Sequence, residues 1–257
     1  MHGDAVLPTS LLYGFLLVLA RISGIFVFIP LPALTNSPSA ARIVVALALT
    51  FALFPLWPKV EQVPASILQV IGWILAEAAI GLAAGLAVAF VIEGVYVAAQ
   101  AISTQAGFSY ASMVDPNTQA DSTVLIVIAQ LTAGLLFFAL GLDRRLLQIL
   151  AHSLEAHPPG SFILSRSSVE TLAMLGSGAF STGLRLVLPV MTFLFLIDLS
   201  IGLLGRLNSQ LQLVALAFPI KMVAALVALS FLVLLVPKIY QQSAGIAFGT
   251  LAKVLGF

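Results

Sequence analysis

The 257-residue chain is 61% hydrophobic and 8% charged, with a formal net charge of +1 and a mean hydropathy of +1.14. So little polar surface cannot coat a soluble globule, and the chain belongs in a membrane or an apolar assembly. The near-neutral charge gives no electrostatic basis for nucleic-acid binding. The absence of cysteine excludes disulfides, thiol catalysis and thiolate metal sites. His2, His152 and His157 form no ligand cluster, so no metal or other cofactor is expected.

The first ten residues hold no Lys or Arg, so the basic part of a secretory signal is missing despite Val18-Leu19-Ala20, and the segment is expected to stay in the mature protein. Leu11 to Ile29 is long enough to span a bilayer but carries Arg21 near its middle. A charge facing lipid there costs about 2.5–3.5 kcal/mol, so Arg21 is expected to face protein or water. Pro30, Pro32 and Pro38 mark a loop. Arg42 then opens an apolar run from Ile43 to Phe54 that rises only about 18 Å, well short of a hydrocarbon core of roughly 30 Å. This run reads as one arm of a helical hairpin buried against other protein.

Ile67 to Pro116 is a long apolar helix pattern containing Glu77 and Glu93, which breaks into a polar segment ending at Asp115-Pro116. Glu77, Gly81 and Gly85 recur every four residues and share a helix face on which small residues admit a close neighbour. Glu93 lies about 160° round the helix from Glu77, so the two acids are separate sites rather than a catalytic pair. For each, a proton-relay role and a packing role at helix ends or partner chains both stand open.

Val124 to Leu142 is expected to be the most ordinary span. Asp143-Arg144-Arg145 ends it, and Leu146, Leu147, Leu150 and Leu154 predict an amphipathic interfacial helix. Val169 to Leu204 is interrupted by Arg185, Pro189 and Asp198, and reads either as one kinked helix or as two. Arg185 and Asp198 are not neighbours on one helix, so each needs a partner elsewhere in the fold or in another chain. After the polar break from Arg206 to Gln212 comes an apolar helix, Leu213 to Val236, with Pro219 and Lys221. A mildly amphipathic tail follows from Pro237 to Phe257.

Basic residues do not alternate between apolar segments, so the positive-inside rule leaves the orientation open. The expected fold is all-α: a multi-pass membrane-type protein of helical hairpins with short or kinked helices, forming a single domain over residues 1–257. No phosphate loop, zinc helix or nucleophile elbow is present, and an enzyme is not expected.

Certain residues recur in a telling order: Arg21, Gly24 and Pro30; Pro38, Arg42 and Pro55; Glu77, Gly81 and Gly85; Gln100, Gln105-Ala106-Gly107-Phe108 and Asp115-Pro116. Pro189, Gly202, Arg206, Gln210, Phe218-Pro219 and Lys221 complete the set. Over residues 10–235 this order resembles the FliR family, export-gate components of flagellar type III secretion, and its SctT-type injectisome relatives. Two features depart from the family. Its Arg-x-x-Pro-Gln-x-Asn pattern stands here as Arg206, Ser209, Gln210 and Gln212, and Asp198 occupies a position where many relatives carry asparagine.

The resemblance implies a non-enzymatic, pore-forming subunit that joins FliP and FliQ homologues in a helical export-gate assembly, with an FlhB homologue near its entrance. It implies a location at the flagellar basal body in the bacterial inner membrane, with lipid as neighbour and unfolded export substrates in transit. It also implies that the loop over residues 107–121 is a plug. In that loop Gly107 supplies backbone freedom, Phe108, Tyr110 and Met113 supply bulk, and Asp115-Pro116 sets a closed conformation. Glu77, Gly81, Gly85, Glu93, Arg185, Asp198, Arg206, Gln210 and Lys221 are the expected helix-packing or partner contacts. The alternatives are a virulence-injectisome subunit and, from another class, a secondary transporter using Glu77, Glu93, Arg185 and Asp198 for an ion or small solute.

Overall fold

The computed structural model describes residues 9–29, 39–58, 66–108, 124–157, 166–207 and 213–256. Among them all regular structure is helical: α1 (Thr9–Phe28), α2 (Ser39–Ala52), a 3-10 turn (Phe54–Leu56), α3 (Ile67–Ala106), α4 (Val124–Ala139), α5 (Leu142–Ala156), α6 (Arg166–Leu207), α7 (Leu213–Leu232) and α8 (Val236–Val254).

The helices start and stop for local reasons. Ser66 Oγ accepts the Gln69 N–H at 3.3 Å and satisfies one of the free donors of α3. Forty residues without proline then run to Ala106. Gly107, at φ +85°, turns the chain out of the helix while the Phe108 N–H returns to the Ser103 carbonyl at 3.0 Å.

The expected span from Val124 to Leu142 is corrected: α4 stops at Ala139, and a separate helix, α5, begins at Leu142. Gly141, at φ +66°, interrupts the helix between them, in a conformation an L side chain would resist. A 16-residue helix rises only about 24 Å, less than a hydrocarbon core.

Pro189 lies inside α6 without dividing it, so the region from Val169 to Leu204 is one helix. Among the described residues three helical segments, Ser10–Phe28, Ile67–Ala106 and Ser168–Arg206, are long and apolar enough to cross a membrane. The number rises to five if each bent pair, α4 with α5 and α7 with α8, counts as one span.

Contacts divide the chain into two compact units, residues 1–90, 141–176 and 245–257 forming one and residues 91–140 and 177–244 the other. In the first unit, Val18, Ile22 and Ile25 of α1 and Ile80, Ala84 and Val88 of α3 are buried, as are Leu146, Leu150 and Leu154 of α5. The apolar stripe of α5 thus faces protein rather than a membrane interface. Phe15 packs on Phe51 and Trp57 at ring separations of 5.6 and 5.5 Å, tying α2 to α1. The end of α8 is held on α5, with Arg145 over the Phe248 ring at 5.8 Å and His157 Nε2 2.6 Å from the Leu255 carbonyl. In the second unit the core is built from Val95, Ala99 and Ile102 of α3, Ala133 and Phe137 of α4, Leu186 and Leu194 of α6, and Ala225 of α7. There Gly94 and Gly183 let α3 and α6 approach closely: a Cβ on Gly183 would lie 3.1 Å from the Gly94 carbonyl oxygen.

Candidate functional site

In each unit the described residues include an ion pair set amid apolar helices. In the first, Arg21 Nε donates to Glu77 Oε2 at 2.6 Å and Nη1 donates to Ser153 Oγ at 2.7 Å. Ser153 Oγ in turn donates to the Leu150 carbonyl at 2.7 Å. The Arg21 and Glu77 side chains are 1% and 3% exposed, so both charges are removed from solvent and neutralise each other. A buried charge left alone is costly, and three helices are registered by this one arrangement.

The pair rests on a glycine seam. A Cβ on Gly81 would overlap the Arg21 carbonyl, one on Gly85 would overlap that of Ile25, and one on Gly24 would lie 2.7 Å from the Ala78 oxygen. The backbones of α1 and α3 are therefore in near contact, which places the Arg21 guanidinium beside Glu77.

In the second unit, Asp198 Oδ2 accepts from Gln105 Nε2 at 3.0 Å and from Lys221 Nζ at 3.1 Å. This cluster joins the C-terminal end of α3 to α6 and α7. It is wetter than the first, with Lys221 and Asp198 side chains 14% and 37% exposed. Two residues past Gln105, a Cβ on Gly107 would lie 2.9 Å from Phe218 Cδ1. Phe218 is three residues before Lys221 on the same face of α7. The C-terminal end of α3 is thus packed at Gly107 by Phe218 and hydrogen-bonded through Gln105 to Asp198.

The remaining predicted residues fall elsewhere. Glu93, Arg185 and Arg206 are exposed. Phe108 is half-buried, and Tyr110, Met113, Asp115, Pro116 and Gln210 lie outside the described residues. Asp198 finds its partner in Lys221 of the same chain. Sequence reasoning did not reach Ser153, nor the pairings Arg21–Glu77 and Asp198–Lys221. The available signal was the presence of opposite charges inside separate apolar helices. Among the described residues no group of His, Cys, Asp and Glu could hold a metal ion. Neither cluster presents a nucleophile beside a base.

A helical chain with several helices long and apolar enough to cross a membrane is of membrane-protein type, and residues 12–245 match the bacterial export proteins, family 1. The chain belongs to that family. It is 27% identical over 237 residues to the flagellar biosynthetic protein FliR of Escherichia coli (strain K12), covering 92% of this chain and 90% of the relative. It is 30% identical over 231 residues to FliR of Bacillus subtilis (strain 168), covering 87% and 85%. FliR of Aquifex aeolicus (strain VF5) is 21% identical over 226 residues, covering 88% and 87%.

Proposed function

We propose that the chain is a structural, non-catalytic subunit of the flagellar protein export apparatus in the bacterial inner membrane, at the base of the flagellum. The observation that carries this reading is the match to the export family across residues 12–245, together with end-to-end similarity to relatives named FliR. Its partners are FliP and FliQ homologues, with an FlhB homologue at the entrance, and its cargo is unfolded flagellar substrate in transit. The extensive apolar exposure of the single chain supports an assembled state: Ile67, Leu68, Val124 and Leu135 each expose 70% or more of their surface.

Within that assembly the loop over residues 107–121 acts as plug and gate. Supporting this is the way Gly107 and Gln105 are fixed at the loop's start by Phe218 and Asp198. Removing the gene from its host is expected to abolish flagellar filaments and secreted flagellar protein. Normal motility in the deletion strain would refute the flagellar reading. For the gate, deleting residues 107–114 should raise leakage of small solutes through the assembled complex, and unchanged permeability would refute it.

A further inference from the structure

We propose that α6, α7 and α8 carry a site for an anionic phospholipid, with the phosphate on Arg185 and Lys238 and an acyl chain in the apolar groove beside them. The groove encloses about 320 Å³ and is lined by apolar residues, Pro189 and Phe193 of α6, Val227, Ala228 and Phe231 of α7, and Leu235 among them. Arg185 lies four residues before Pro189, on the same face of α6. Lys238 lies three residues after Leu235, whose carbonyl accepts the Ile239 N–H at 3.1 Å and so already belongs to the first turn of α8.

Each cation stands about one helical turn from a residue that lines the groove, Arg185 from Pro189 and Lys238 from Leu235. Thr182 Oγ1 meets Ser243 Oγ at 2.8 Å, while Pro189 and Leu235 line the same groove. Numbering therefore rises along α6 as it falls along α8. Arg185 is three residues beyond Thr182 and Lys238 five before Ser243, which puts the two at similar heights along the helices.

Among the described residues no carboxylate pairs with either cation. Both are exposed. The only carboxylates of α6 are Glu170 and Asp198, which pair with Arg166 and Lys221, and α7 and α8 contain no acidic residue. Glu93, exposed on α3, pairs with neither cation among the described residues. Two like charges without a counter-ion, at the end of an apolar groove, call for an anion from outside the chain that also carries an apolar body. An acyl chain enters a groove of this size, whereas a partner helix about 10 Å across does not.

The test uses the full chain in detergent micelles, titrated with dioctanoyl phosphatidylglycerol, dioctanoyl phosphatidylcholine or inorganic phosphate, with bound ligand read by native mass spectrometry. Phosphatidylglycerol should bind more tightly than phosphatidylcholine, on the order of fivefold for each cation engaged. R185Q/K238Q should remove that preference and R185K should keep it. A228W, which fills the groove but leaves the cations, should weaken both lipids, and inorganic phosphate should compete poorly.

Equal binding of the two lipids by the wild type would overturn the proposal, as would inorganic phosphate competing as well as phosphatidylglycerol. Retention of phosphatidylglycerol by R185Q/K238Q, with loss of co-purifying proteins, would assign the cations to a protein interface instead and equally overturn it. None of these readouts depends on the export-apparatus reading.

Discussion

Arg21 and Glu77, on different helices, share a 2.6 Å hydrogen bond in an interior almost closed to solvent. Because the glycine seam holds the backbones of α1 and α3 against each other, neither side chain can move out to find water. The pair therefore acts as a register pin for α1 and α3, and Ser153 extends it to α5.

Removing one partner strands the other. R21L or E77L alone is expected to destabilise the protein by about 3–5 kcal/mol, while R21L/E77L, which removes both charges, should recover much of that loss. Thermal unfolding in detergent would check this. A double variant as unstable as the sum of the singles would contradict it.

The seam makes its own prediction. A Cβ at Gly81 has no room, so G81A should cost about 1–3 kcal/mol through displaced backbone. Gly72, in the same helix, serves as control, because a Cβ there would meet no neighbouring atom within 4 Å. G72A should be neutral or stabilising by about 0.5–1 kcal/mol, because alanine is the better helix former.

The second cluster should respond more mildly. With Asp198 more than a third exposed, solvent screening limits the Asp198–Lys221 pair to about 0.2–1 kcal/mol. Cycles of D198A, K221A and Q105A should be non-additive, because all three meet at one carboxylate. Additive losses would show that the three act separately.

At Gly107 two penalties combine. G107A forces a β-carbon into a left-handed conformation, costing about 1–2 kcal/mol, and pushes on the Phe218 ring. Adding F218A should relieve the contact but not the backbone strain, so the double variant should stay below F218A alone in unfolding temperature.

Much of this architecture was legible in the sequence. The i, i+4 spacing of Glu77, Gly81 and Gly85 marked a close-packing face, and the structure sets that face against α1. The inward position of Arg21 followed from its place mid-helix, but its partner did not, because Glu77 lies 56 residues further along the chain and the pairing depends on how the helices pack. The stop at Ala139 was hidden because Gly141 lies inside an unbroken apolar run, where only its positive φ distinguishes a bend from helix. Pro189 pointed the other way: a residue that usually breaks helices sits within one continuous α6. Leu146, Leu150 and Leu154 gave the right stripe on α5, but amphipathicity alone does not tell a protein core from a membrane surface, and here the stripe is buried in protein.

The most direct test of the export-apparatus account is to tag the chain, purify it in mild detergent from its native membrane and identify what stays bound by mass spectrometry. FliP and FliQ homologues of flagellar type are expected to co-purify with it. A homogeneous chain that lacks them and binds a small ion or solute on its own would contradict the account and point to a transporter.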